Sequence, residues 1–86
     1  MTPATQLRAL IADHLSIDPE SITETATFEQ LGADSLDCVE LSMLVEDQFG
    51  IEFESDELAL DTFALEQTFG TGLGVVEAKL GARVSA

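Results

Sequence analysis

Ser35 is the side chain in this 86-residue chain whose position best suits chemistry. It follows the glycine-containing turn Leu31-Gly32-Ala33-Asp34 and opens a strongly patterned helix. The N–H groups in the first turn of a helix have no partner within the helix, and the helix dipole favours negative charge there. A phosphate ester on the Ser35 hydroxyl would be stabilised by both effects. Taken alone, however, an Asp-Ser-Leu sequence before a helix is common and is more typical of a serine that only belongs to the capping region.

Two other side chains invite a catalytic or metal-binding interpretation and are better explained structurally. Cys38 falls on the core stripe of the same helix, where burial raises the pKa of a thiol and makes it inert. His14 is the only histidine and has no cysteine nearby, so we predict a boundary residue of the first helix and not a metal ligand. We therefore expect no catalytic residue and no metal site.

Several function classes lack their sequence signals. No glycine-rich phosphate loop, catalytic triad order or metal-ligand spacing is present, which argues against hydrolases and oxidoreductases. The acidic residues do not form an EF-hand loop either. Weak binding of divalent cations that relieves acidic repulsion remains an alternative.

The charge balance is extreme, with 17 acidic residues against 3 basic ones and a net charge of −14. Such a chain repels nucleic acid and anionic membranes and attracts proteins with basic surfaces. Its length predicts one domain over residues 1–86, which we expect to be monomeric. A single cysteine fits a reducing compartment, and neither a signal peptide nor a run of about 20 apolar residues is visible, so we expect a cytoplasmic protein without membrane insertion.

The first half of the chain carries clear helix signals. Thr2 and Pro3 predict the start of a helix that ends at Leu15. The long connection from Ser16 to Ala33 should contain a short helical turn at Pro19 to Ile22. We expect this connection to be anchored by four spaced apolar residues, Ile17, Ile22, Phe28 and Leu31.

The second helix should run from Ser35 to about Phe49, with Asp34 as its N-cap and Gly50 as its end. Its apolar residues form two faces. A wide stripe, assigned to the core, comprises Cys38, Leu41, Val45 and Phe49. A narrow stripe on roughly the opposite side comprises Leu36, Val39 and Met43, and acids flank it at Asp37, Glu40, Glu46 and Asp47. At helical spacing apolar residues usually belong to a core and a run of charges is usually a solvated face. Because the wide stripe already supplies a core, we interpret the narrow stripe as a docking surface for a partner.

The C-terminal third is less regular. Residues 51–54 alternate in polarity and predict an extended loop with Ile51 and Phe53 turned inward. Ser55 should cap a short helix from Asp56 to about Leu60. One or two further helical turns should follow, and Gly70-Thr71-Gly72 should end this helical segment. A last helix should span about Gly72 to Leu80 and end at Gly81, leaving residues 81–86 as a loose tail.

The segment Leu-Gly-Ala-Asp-Ser-Leu-Asp around Asp34, Ser35 and Leu36 resembles the attachment motif of acyl carrier proteins. The match continues through Val39-Glu40-Leu41, Met43, Glu46-Asp47 and Phe49-Gly50-Ile51-Glu52, and Ile17-Asp18-Pro19-Glu20-Ser21-Ile22 resembles the first-loop turn of that family. The first fifty-odd residues follow the family in element order and loop length, whereas the C-terminal third departs from it.

The resemblance implies an all-α fold, a small antiparallel bundle of three longer helices and one short helix with an atypical C-terminal third. It implies that Ser35 receives 4′-phosphopantetheine from coenzyme A through a phosphopantetheinyl transferase, with Asp34 beside the attachment site. The arm would carry acyl groups as thioesters between enzymes of fatty-acid, lipid, polyketide or non-ribosomal peptide synthesis. The alternative is an acidic helical interaction module without a prosthetic group, which would use the same Leu36-Val39-Met43 stripe.

Overall fold

The computed structural model describes residues 2–85, and for residue 56 and residues 82–85 it describes the backbone alone. Four α-helices follow one another along the chain: α1 (Pro3–Leu15), α2 (Ser35–Phe49), α3 (Asp56–Thr62) and α4 (Phe69–Ser85). A 3₁₀ helix at Pro19–Ser21 interrupts the long connection between α1 and α2, as predicted. The predicted all-α bundle of three longer helices and one short helix is confirmed.

The limits of α1 and α2 follow from local capping. Thr2 Oγ1 accepts a hydrogen bond from Thr5 N at 3.2 Å, and Pro3 occupies the first turn of α1. Asp34 caps α2, and Gly50 ends it in the left-handed region at φ 64°, which glycine enters without the steric cost that a Cβ brings. Both predicted helices are therefore confirmed at their boundaries.

The core lies between the four helices. α1 packs against α2 and α4, and α3 packs against the same two helices. All four members of the wide stripe on α2 are buried, as predicted. The largest fully buried side chains are Phe28, Phe63, Phe69, Leu7, Ile11, Ile22, Leu41, Val45 and Val76. Phe53 is half-buried and Ile51 is buried, which confirms the inward-facing loop after α2.

The long α1–α2 connection is tied to the segment that joins α3 to α4. Phe28 N donates to Gln67 O at 3.1 Å, and Phe69 N donates to Ala26 O at 2.9 Å. Three of the four predicted apolar anchors are buried and Ile17 is partly buried against the core. Arg8 adds a hydrogen bond from its Nε to Ile22 O at 3.0 Å. Backbone pairing and apolar burial together hold this long loop in one conformation.

The start of α4 differs from the prediction, because α4 begins at Phe69 and the Gly70-Thr71-Gly72 segment is helical. Thr68 Oγ1 accepts from Thr71 N at 3.2 Å, and Gly70 N donates to Glu24 O at 2.9 Å. A Cβ on Gly70 would lie 2.9 Å from that same oxygen. Because Gly70 has no Cβ, α4 can pack closely against the long loop at this position, and the glycine does not break the helix.

The ends of α3 and α4 also extend beyond their predicted limits. α3 continues to Thr62, and a turn separates it from α4, where one or two further helical turns were predicted. α4 passes through Gly81 to Ser85, so the prediction of a loose tail is wrong for residues 81–85, and residue 86 lies outside the described residues. One glycine costs a helix about 1 kcal/mol relative to alanine, which neighbouring alanine, lysine and leucine residues can offset.

None of the helices in the part of the chain that the structure describes combines the length and the apolar character needed to cross a membrane.

Candidate functional site

Ser35 is the first residue of α2 and its side chain is exposed. A capping box surrounds it: Asp37 N donates to Asp34 Oδ1 at 2.8 Å, and Asp34 N donates to Asp37 Oδ2 at 3.0 Å. The two carboxylates accept hydrogen bonds from N–H groups at the start of α2, and the Ser35 hydroxyl takes no part in this cap. The predicted N-cap role of Asp34 is confirmed, and the hydroxyl stands at the positive end of the helix dipole.

Asp37 has a structural role that the sequence analysis did not assign to it. The hydrogen bond from Asp34 N, with a smaller contribution from the nearby His14 imidazole, holds the pKa of the Asp37 carboxyl below its usual value. The carboxylate is therefore ionised at neutral pH and keeps its cap. Asp37 therefore flanks the narrow stripe and also helps to cap the start of α2.

His14 lies closer to acidic side chains than its sequence neighbourhood suggested. Its Nε2 is 3.2 Å from Asp37 Oδ1 and 3.2 Å from Glu40 Oε2, so α1 and α2 bring one imidazole and two carboxylates together. The prediction of a boundary residue rested on the absence of a nearby cysteine or second histidine in the sequence, and it took no account of acidic side chains on another helix. The helical spacing of Asp37 and Glu40 was the available signal, because residues three apart share a face.

The narrow stripe of α2 is exposed, with 64% of Leu36, 37% of Val39 and 56% of Met43 accessible to solvent. Leu60 on α3 is also exposed and lines the same groove as Val39 and Met43. Leu60 could not be identified from the sequence, because nothing local shows that α3 lies beside this face of α2. The three predicted apolar residues are thus exposed on α2, and two of them, Val39 and Met43, line a groove together with Leu60 from another helix.

Two adjoining grooves run between α2 and the α3 region, with Val39 and Leu60 shared between them. The first has a volume of about 310 Å³ and opens at Ser35. Its wall is formed by Ser35, Cys38, Val39, Leu60, Ala64, Leu65 and Glu66. Burial raises the pKa of the Cys38 thiol, and the acids around it raise it further, so Cys38 is an unreactive part of this wall, as predicted. A mostly apolar groove that begins at an exposed serine fits a flexible group attached to that serine.

The flanking acids differ in what they contact. Asp47 is exposed, as expected for a residue that meets a partner. Glu46 is half-buried, and its Oε2 accepts a hydrogen bond from Phe53 N at 2.9 Å, which fixes the loop after α2. Glu40 faces His14. The predicted docking residues are thus close in space but unequal in function.

We expect Glu46→Ala to lower the free energy of unfolding by about 1–3 kcal/mol, because it leaves the Phe53 N–H partly buried without its acceptor. Urea unfolding followed by far-UV circular dichroism measures the change. Asp47→Ala is the matched control, since it removes the same charge from an exposed neighbour and should change stability by less than about 0.5 kcal/mol. Equal losses in the two variants would show that charge alone, and not the Phe53 hydrogen bond, is responsible.

Comparison with known proteins agrees with this geometry. Residues 5–65 match the family model described as a phosphopantetheine attachment site. The acyl carrier protein of Phenylobacterium zucineum is 42% identical over 80 residues, which cover 90% of this chain and 92% of that protein. The chain belongs to the acyl carrier protein family. The acyl carrier protein of Thermosynechococcus vestitus is 49% identical over 53 residues, which cover 60% of this chain and 65% of that protein.

Membership of the acyl carrier protein family defines the cofactor and the general function. The cofactor is a covalently attached 4′-phosphopantetheine, and the protein carries acyl groups on it. It is a carrier and not a catalyst, and it interacts with synthase or acyltransferase enzymes. The alternative of an interaction module without a prosthetic group is thereby set aside.

Proposed function

We propose that Ser35 is the residue that bears the phosphopantetheine arm of this acyl carrier protein. The observation that carries the proposal is the exposed Ser35 hydroxyl at the start of α2, inside the region matched by the attachment-site family and at the mouth of the apolar groove. The capping box supports it as well, because Asp34 and Asp37 complete the helix start between themselves.

The chain is a substrate of a phosphopantetheinyl transferase in this proposal. The Ser35 oxygen loses its proton and forms a bond to the phosphorus of coenzyme A that bears the pantetheine group. The pyrophosphate bond breaks, and adenosine 3′,5′-bisphosphate leaves. The protein supplies the oxygen, and the positive end of the α2 dipole lies beside the negative charge of the resulting phosphodiester.

Partner enzymes, including the transferase, dock on the exposed stripe of Leu36, Val39 and Met43. Exposure of this stripe and the net charge of −14 support a partner with an apolar centre and a basic rim. Asp37, Glu40, Glu46 and Asp47 supply the acidic surroundings. Because the stripe and Ser35 lie on the same helix, an enzyme bound to the stripe is aligned with the attachment point.

The groove that opens at Ser35 shelters part of the cargo in this proposal. Its apolar lining from α2 and the α3 region supports burial of an acyl chain, which gains about 0.8 kcal/mol for each methylene removed from water. We further propose a monomeric carrier of one domain over residues 1–86 that acts in the cytoplasm, does not bind nucleic acid and serves fatty-acid, lipid or polyketide synthesis. The single buried cysteine supports a reducing compartment.

Intact-mass measurement tests the attachment site. We expect the wild-type chain to gain the mass of one phosphopantetheine group when incubated with coenzyme A and a promiscuous transferase, and Ser35→Ala to gain none. Ser21→Ala, which removes an exposed serine from the long loop, should be modified like the wild type. A mass gain in Ser35→Ala would place the arm elsewhere, and an unmodified wild-type chain would contradict the proposed function.

A further inference from the structure

We propose that His14, Asp37 and Glu40 form a binding site for one divalent transition-metal ion, for which Zn²⁺ is the reference probe. The site lies where the C-terminal end of α1 meets the first turns of α2. It contributes one imidazole nitrogen and two carboxylate oxygens, a combination that zinc accepts with water in the remaining position. It does not include the Ser35 hydroxyl or the apolar groove.

The distances between the ligand atoms fit a small metal ion. The three atoms lie within 4.8 Å of one another, and His14 Nε2 is 3.2 Å from an oxygen of each acid. Zinc binds nitrogen and oxygen at about 2.0–2.2 Å, so two ligands at a tetrahedral angle stand roughly 3.3–3.5 Å apart. Both nitrogen–oxygen distances are near this value before any ion is present. The third distance joins the carboxylate oxygens of Asp37 and Glu40. The Glu40 side chain, the most exposed of the three, can rotate to bring this distance to the same value.

The burial and hydrogen bonding of the His14 nitrogen also support a metal site. His14 Nε2 is buried from solvent and forms no hydrogen bond within the described residues, although two carboxylate oxygens stand at 3.2 Å. A buried polar atom without a partner is costly, and native structures usually supply one. A metal ion placed between the nitrogen and the two oxygens would satisfy all three atoms at once.

The ligand chemistry selects among cations. Calcium takes six to eight oxygen ligands, and magnesium keeps most of its waters in an oxygen octahedron. An imidazole with two carboxylates suits zinc, and in divalent form copper and nickel, better than either. The site therefore differs from general screening of the acidic surface, which any divalent cation can provide.

Calorimetry and histidine NMR on the full-length protein test the proposal. Zn²⁺ is titrated in a constant millimolar background of Mg²⁺, which occupies unspecific acidic sites. We expect one Zn²⁺ per chain and a large shift of the His14 Nε2 nitrogen resonance, which is readily assigned because the chain has one histidine. His14→Gln and Glu40→Gln should each weaken zinc binding by at least about tenfold. Glu29→Gln, which removes an exposed acid from the long loop, should leave the affinity unchanged.

Three results would overturn the site. Zinc binding of equal strength in His14→Gln would show that the histidine is not a ligand. An unchanged Nε2 resonance in the zinc-saturated wild type would show the same without any variant, so the test does not depend on the folding of His14→Gln. Equal loss of zinc affinity in Glu29→Gln and Glu40→Gln would show that net charge alone, and not ligation by Glu40, explains the loss.

Discussion

Phe63→Ala is expected to lower the free energy of unfolding by about 3–5 kcal/mol. Phe63 is fully buried, and its ring centre lies 5.6 Å from that of Phe28 and 6.1 Å from that of Phe53. It therefore joins the long α1–α2 loop, the loop after α2 and the end of α3. A domain of this length has a net stability of roughly 4–13 kcal/mol, so the loss would take a large share of it.

Urea unfolding followed by far-UV circular dichroism measures this loss, since the chain has no tryptophan or tyrosine for fluorescence. Leu60→Ala is the control, because Leu60 is an exposed leucine of neighbouring α3 and its truncation should cost less than about 1 kcal/mol. If Phe63→Ala cost no more than Leu60→Ala, the aromatic cluster would not be the centre of the core.

Met43→Glu is expected to lower kcat/KM of the phosphopantetheinyl transferase for this carrier by about 10- to 100-fold, a loss of roughly 1.4–2.7 kcal/mol in transition-state binding. Met43 is in the exposed stripe that we propose as the docking surface. A glutamate at the centre of an interface must lose its water and finds no partner there, which is the usual way in which such centres lose affinity. Initial rates of arm transfer at several carrier concentrations give the value.

Leu58→Glu is the control for Met43→Glu. Leu58 is 45% exposed and undergoes a comparable change from an apolar side chain to a charged one. It lies on α3, about 200° around that helix from Leu60, and lines neither groove, so its kcat/KM should stay within about twofold of wild type. Equal losses in both variants would indicate general repulsion or a folding defect and would contradict docking on the stripe.

The starts and ends of α1 and α2 could be predicted because their causes lie within a few residues. Thr2 with Pro3 and Asp34 with Asp37 satisfy the first N–H groups, and Gly50 ends the second helix. The division of α2 into a buried and an exposed face followed from helical periodicity alone. These features are local, so the sequence contains all the information that decides them.

The start of α4 could not be predicted, because its causes lie far along the chain. The Gly70-Thr71-Gly72 segment has poor helix propensity, yet the carbonyls of Ala26 and Glu24 accept the N–H groups of Phe69 and Gly70. A loop more than forty residues earlier thus caps this helix. The His14 cluster was missed for the same reason, since its two acids belong to another helix.

The lengths and caps of α2 and α3 distribute stability unevenly around the groove. α2 has 15 residues and a reciprocal cap between Asp34 and Asp37, whereas α3 has 7 residues and is too short to persist without its packing. Local opening therefore requires less free energy on the α3 side, where Leu60 forms part of the wall. If Ser35 bears the arm and the groove shelters the cargo, as we propose, transient loosening of α3 would widen the groove for longer acyl chains, while Ser35 and the stripe beside it would remain on the more stable helix.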